Sequence, residues 1–225
     1  FLAETIRNTD VQVPSKAYWK RVREICTKHG VLLILDEIPI ALGRTGKMFA
    51  FEHFDIEPDI ICLGKGLGGG IIPFAAMIAR DNYNIAQDIS LGHYTHEKSP
   101  LGCVAALATL NYIKKENLLQ KATDDGLWFG NELHKLKERF PIVGDVRGLG
   151  LLWGIELVKS RETKEKATQE AEKIMYECMQ NGLSFKVSQG NVLQLSPALT
   201  IGRDDLQKAI SILSQAFSIH TVKNL

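Results

Sequence analysis

The chain has 225 residues, enough to bury a sizeable core in one or two domains, and its 45% hydrophobic and 24% charged residues are ordinary for a globular protein. A formal net charge of +1, with no basic stripe interleaved with aromatics, argues against a nucleic-acid partner. No apolar run approaches a membrane span, and no signal peptide follows Phe1. The four cysteines (Cys26, Cys62, Cys103, Cys178) lack C-x-x-C or zinc-like spacing, which points to reduced thiols and a cytoplasmic compartment.

In chain order, Phe1 to Ile6 predicts a strand leading into a loop that ends near Pro14. Lys16 to His29 carries Ala17, Trp19, Val22 and Ile25-Cys26 at helical spacing, and Gly30 supplies the stop. The run Val31 to Leu35 then returns as a strand, so that strand, helix and strand form a parallel crossover. It ends on Asp36 and Glu37. The turn Gly43-Arg44-Thr45-Gly46 follows, and then Pro58-Asp59 opens a second apolar run, Ile60 to Leu63. That run passes through Gly64 into Lys65 and the glycines Gly66, Gly68, Gly69 and Gly70. Runs this short and apolar predict strands buried on both faces, as in a parallel sheet.

Ile72 to Arg80 predicts another strand, with an antiparallel direction open to it. Asp81 to Leu91 reads as surface helix or loop, and Leu101 to Glu116 and Asn117 to Phe140 as long helices. The domain change is placed near residue 120. Beyond it the pattern is α+β. Gly144 to Gly150 is a turn or strand start, and Leu151 to Val158 a strand. Thr168 to Asn181 is a helix stopped by Gly182, Leu183 to Leu195 holds one or two strands, and Asp204 to Phe217 is a helix. The expectation is an α/β fold: a mostly parallel sheet with helices over residues 1–120, then a small α+β domain over 121–225.

Charged groups at the carboxyl ends of such strands stand at the sheet rim, where α/β proteins place ligands. Asp36 and Lys65 are therefore expected to face one crevice. Pyridoxal phosphate chemistry wants that pair: an amine to attach the cofactor and a carboxylate to keep its ring nitrogen protonated. The lysine must shed its proton to attack an aldehyde, and neighbouring glycines let backbone approach the cofactor. An acid after a buried strand and a lysine among glycines also occur without any such role, so spacing alone leaves both readings open.

The stretch DEIPIALGRTGKMFAFEHFDIEPDIICLGKGLGGG resembles the signature of class III, fold type I PLP-dependent aminotransferases, and the resemblance runs over nearly the whole chain. It implies that Lys65 forms the Schiff base, that Asp36 pairs with the pyridine nitrogen, and that Ile38 packs on one ring face. It further implies that Thr95 reaches the cofactor phosphate of a neighbouring subunit, so that a homodimer completes the site. Glu4 matches the first member of a glutamate-proline pair that lies beside the substrate or pairs with its arginine; a rim acid with a solvent or backbone partner is the alternative. Arg44 is expected to brace loops, and Phe49, Phe51 and Phe54 to pack. His93 and His96 stand too alone for a metal site, and Lys98 suits either a phosphate or solvent. The family's N-terminal glycine-rich turn is not in this sequence, so the chain is expected to be the C-terminal half of an enzyme.

The sequence also departs from the family pattern. Pro39 stands where a glutamine usually meets the ring hydroxyl, with Ile40 and Ala41 in place of threonine and glycine. More consequential is Gln194, which occupies the place of an arginine that clamps a substrate α-carboxylate. Either another cation, such as Arg7, takes over, or the substrate lacks an α-carboxylate, as an aminoalkyl phosphate or phosphonate does. The resemblance implies transamination between an amine and a 2-oxo acid, with elimination and racemisation open to the same Lys65 and Asp36. A different possibility is a catalytically silent fragment.

Overall fold

The computed structural model describes residues 1–86, 88–89 and 99–221. They form two compact units, the first made of Phe1–Ile6, Pro14–Gly43 and Lys47–Asn117, and the second of Arg7–Val13, Arg44–Gly46 and Leu118–Leu225.

The first unit is built on a four-stranded sheet in the order β1 (Leu2–Glu4), β2 (Ile34–Asp36), β3 (Ile60–Leu63) and β4 (Ala76–Ala79). β1, β2 and β3 are parallel; β4 runs antiparallel to β3. Helix α1 (Lys16–Lys28) makes the crossover from β1 to β2. Ser15 caps it by accepting from the Tyr18 N–H, which satisfies one of the free donors of the first turn. Its buried residues are Trp19 and Cys26, and the Trp19 indole donates to the Thr5 carbonyl at 3.0 Å. Helix α2 (Pro100–Lys115) closes the unit, with Gly102 lying flat against the Phe74 ring.

The strands are shorter than the apolar runs that predict them. β2 begins at Ile34, because the Asp59 carboxylate takes the Leu33 N–H at 2.7 Å. The expectation of burial on both faces is corrected. Leu35, Ile61 and Leu63 are buried, whereas Ile34, Asp36, Ile60 and Cys62 on the other face are only half-buried. Side chains alternate along a strand, and among the described residues only the first set is fully covered.

The second unit carries an antiparallel sheet in the order β5 (Val143–Leu149), β6 (Leu152–Leu157), β8 (Val192–Leu195) and β7 (Lys186–Ser188). Of the two readings of Gly144 to Gly150, turn or strand start, the strand holds, and Leu183 to Leu195 resolves into the hairpin β7–β8. Helices α3 (Leu118–Arg139), α4 (Thr168–Gln180) and α5 (Arg203–Thr221) enclose a core that includes Phe129, Leu133, Ile155, Leu193, Leu213 and Phe217. Asp125 on α3 receives both Lys121 and Arg203, and the Arg203 guanidinium lies over the Trp128 ring at 4.6 Å, tying α3 to the start of α5. Arg44 belongs to this unit, where Nη1 donates to the Leu151 and Pro197 carbonyls, a bracing role.

Candidate active site

Parallel pairing sets the site. Glu4, Asp36 and Cys62 are successive register partners across β1, β2 and β3, so their side chains share one face at the carboxyl ends of the strands. Asp36 is half-buried there. Its Oδ1 accepts the Ile38 N–H at 2.9 Å, a short turn that aims the carboxylate and leaves Oδ2 without a hydrogen-bond donor among the described residues. Its negative charge reaches the neighbouring strand: burial first, and Asp36 second, push the Cys62 thiol upward.

The chain after β3 delivers Lys65 to the same end of the sheet. Gly64 is fully extended at φ −177°, and Lys65 follows with φ +45°, in the left-handed region that a side chain rarely adopts. Strain of this kind persists where surrounding structure imposes it, and it gathers at functional sites. Here the short 3-10 helix Lys65–Gly68 imposes it, ending on Gly69 and Gly70 with φ of +71° and +76°. Lys65 is exposed. Ile38 lies beside this turn: a Cβ on Gly64 would meet its Cγ2 at 3.3 Å. Asp36, Ile38 and Lys65 are therefore brought together by two adjacent parallel strands and the turns that leave them. Gly66 and Gly70 leave room beside Lys65, the nearest atom to an added Cβ being Leu42 Cδ1 at 3.8 Å for Gly66 and none within 4 Å for Gly70.

Glu37, adjacent to Asp36 in sequence, has a different fate. It is fully buried. Its Oε1 accepts from Thr5 Oγ1 at 2.6 Å and from the Phe51 N–H at 3.0 Å, and its Oε2 from the Ala50 N–H at 2.8 Å. Burial pushes its carboxyl above the ordinary carboxylate range, against the pull of these three donors. The two acids part because successive side chains alternate in direction at the end of β2. Phe49 and Phe51 stack on each other at 5.4 Å, and Phe54 is buried, so all three pack.

Arg7 and Gln194 belong to the second unit. Arg7 is exposed and pairs with Asp10 at 3.3 Å. Gln194 is buried in mid-β8, and its amide donates to the Asn8 carbonyl at 2.9 Å and to Asn8 Oδ1 at 3.1 Å. The same loop is gripped by Arg147, whose guanidinium donates to the Asp10 and Val11 carbonyls while pairing with Asp145 and Glu156. Thr95, His93, His96 and Lys98 lie outside the described residues. Among the described residues no group of three or more His, Cys, Asp or Glu side chains gathers as a metal site, and no helix is long and apolar enough to cross a membrane.

An exposed amine on a strained turn, a carboxylate with one oxygen held and one open, an apolar side chain beside the turn and a glycine cradle together fit pyridoxal phosphate. Comparison with known proteins agrees. Residues 2–217 match the family described as Aminotransferase class-III. The (R)-1-hydroxy-2-aminoethylphosphonate ammonia-lyase of Vibrio splendidus is 59% identical over 97% of this chain and 46% of its own length. The leucine/methionine racemase of Thermococcus litoralis is 43% identical over 92% of this chain and 46% of its own. Among solved structures, an amine transaminase from an uncultivated Pseudomonas species in a PLP-bound form superposes with a TM-score of 0.91 at 34% identity, covering 97% of this chain and 51% of that one. The chain thus spans about half the length of the curated relatives it matches.

Proposed function

Because the chain belongs to the class III aminotransferase family, with the fold type I architecture, we propose that it carries the catalytic lysine of a pyridoxal-phosphate enzyme that eliminates a β-group from an aminoalkyl phosphonate or phosphate. The hydroxyl of a 1-hydroxy-2-aminoalkylphosphonate leaves as water, or the phosphate of a 2-aminoalkyl phosphate as the free anion, after which water hydrolyses the enamine to an aldehyde and ammonia. The observation that carries the cofactor assignment is Lys65, held at φ +45° at the rim beside Asp36 and Ile38. When bound, pyridoxal phosphate supplies an electron sink for negative charge at the amine-bearing carbon. The Asp36 carboxylate, oriented through Oδ1, keeps its free oxygen for the ring nitrogen. Ile38 would offer apolar surface to the ring, and the Lys65 amine would hold the cofactor and, once displaced from it by the substrate amine, move the proton at the reacting carbon. Thr95 holds the phosphate across a homodimer in the cytoplasm.

The choice of reaction rests on the second unit. Gln194 is neutral and its amide donors are already given to Asn8. It offers no charged fork to an α-carboxylate, which suits an amine without one, as in the substrate named for the Vibrio relative. Transamination with a 2-oxo acid is the second reading, favoured by the transaminases among the solved structures. The test is product analysis of the intact enzyme with (R)-1-hydroxy-2-aminoethylphosphonate, which carries the β-hydroxyl that elimination needs. Ammonia released with no 2-oxo acid added supports elimination, and turnover that requires a 2-oxo acid supports transamination. Lys65→Ala is expected to abolish turnover while retaining some cofactor, and near-normal turnover in that variant refutes the assignment.

A further inference from the structure

Three chain segments meet behind Asp36, and one buried carboxylate joins them. Thr5, fully buried, directly follows Glu4, the register partner of Asp36. Glu37 directly follows Asp36 itself. Ala50 and Phe51 open the 3-10 helix Ala50–Phe54, whose first N–H groups have no partner within the helix. The Glu37 side chain takes one hydroxyl and two of these N–H groups. Its backbone is held as well. The Glu37 N–H donates to the Cys62 carbonyl at 3.1 Å, and its own carbonyl accepts from Ile40 and Ala41 at 3.1 and 2.9 Å. Residue 36 thus stands between a ladder on one side and a fully anchored residue on the other.

The chemistry of the lock is specific. All three partners are used as donors, and an ionised carboxylate is an acceptor only. A glutamine of the same shape would turn an NH2 toward at least one of them and leave buried donors facing each other. A polar side chain buried at this depth is costly unless hydrogen-bonded, so the site has not been filled merely for volume; a leucine would fill it.

We propose that Glu37 is a positioning residue for Asp36: its three-donor lock fixes the end of β2, so that the Asp36 carboxylate holds a single position at the ring nitrogen of the cofactor. This rests on the reading of Asp36 given above. A lock that loosens lets the Asp36 carboxylate wander, and the ring nitrogen loses part of its proton. Neither Glu37 nor Thr5 touches the reacting atoms in this account.

The test uses the intact holoenzyme loaded with cofactor labelled with 15N at the ring nitrogen, whose chemical shift reports ring protonation. Four variants are compared with the parent, each checked for folding by thermal unfolding: Asp36→Asn, Glu37→Gln, Thr5→Val and Thr5→Ser. Asp36→Asn is expected to move the resonance fully to the unprotonated position. Glu37→Gln is expected to lower ring protonation about tenfold, equivalent to about one unit of ring pKa. Thr5→Val should move the resonance in the same direction by less, and Thr5→Ser, which keeps the hydroxyl, should restore it. If Asp36→Asn shifts the resonance while folded Glu37→Gln and Thr5→Val do not, the positioning role is overturned and the Asp36 assignment stands. If Glu37→Gln fails to fold, Thr5→Val against Thr5→Ser decides. If Asp36→Asn itself leaves the resonance unmoved, the functional reading of Asp36 falls and the role of Glu37 with it.

Discussion

Gly126→Ala sets two opposing effects against each other inside helix α3. Replacing glycine by alanine within a helix favours the folded state by about 1 kcal/mol through propensity. The tertiary structure opposes it. A Cβ at Gly126 would lie 2.5 Å from the Cα and carbonyl carbon of Gly150, and closer still to its oxygen, about 1 Å short of ordinary contact. The obstacle is backbone, so no rotamer change relieves it. Nor is the helix free to retreat, because the same face is engaged at Thr123, whose hydroxyl donates to the Gly46 carbonyl at 3.2 Å, and at Gly130, which lies flat against the Trp153 ring. Overpacking of this kind costs about 2–3 kcal/mol, so the net loss is about 1–2 kcal/mol after propensity. For a chain of this size that lowers Tm by roughly 2–8 °C. Thermal unfolding followed by circular dichroism measures it. An unchanged or raised Tm would refute the claim that α3 is pinned at this distance.

Two further perturbations probe charge and burial. Asp125→Ala removes the anion shared by Lys121 and Arg203; because both cations are partly exposed, the loss is about 1–3 kcal/mol rather than the larger cost of a fully buried pair. Burial alone would raise the Asp125 carboxyl, but the hydrogen bonds and charges of Lys121 and Arg203 outweigh it and hold it below the ordinary range. Its contribution is therefore complete above the unfolded carboxylate value of about 3.9 and is lost as pH falls through the lower folded value. The stability gap between parent and variant, measured by urea unfolding, should narrow below about pH 4; a gap that stays constant to pH 2 would contradict the assignment. Cys178 is fully buried and its thiol is pushed up to about 12, chiefly by burial. At pH 8 it holds roughly a thousandth or less of the thiolate of an unperturbed cysteine, so iodoacetamide should leave it unmodified until the chain unfolds, as read by peptide mass analysis. Ready alkylation in the folded state would show that the core around α4 opens.

Much of the site was legible in the residues themselves. Asp36 and Lys65 each follow a short apolar run, and polar groups at that position in parallel strands have one place to go, the rim. The glycines around Lys65 announced a place where backbone can approach a ligand closely. The helix of α1 was equally plain, since an apolar stripe and a terminal glycine are both local signals. Strand ends were less so. β2 starts later than Val31 because Asp59, distant in sequence, captures the Leu33 N–H, and β5 was left between turn and strand start because its Gly144 and Gly148 admit Val158 and Trp153 closely rather than bending the chain.

The sequence by itself determined which chemistry was available: an amine, a pair of acids, a glycine cradle, and a neutral amide at residue 194. Only the tertiary structure decided what each group does. Two adjacent acids look alike on paper, but the alternation of a strand sends Asp36 to the open face and Glu37 into the interior, where donors from Thr5, Ala50 and Phe51 converge. Lys65 acquires its left-handed backbone from the turn that follows β3, and Gln194 spends its donors on Asn8, nearly the length of the chain away. Side-chain identity is local, whereas hydrogen-bond partners and burial are set by segments that the fold alone brings together.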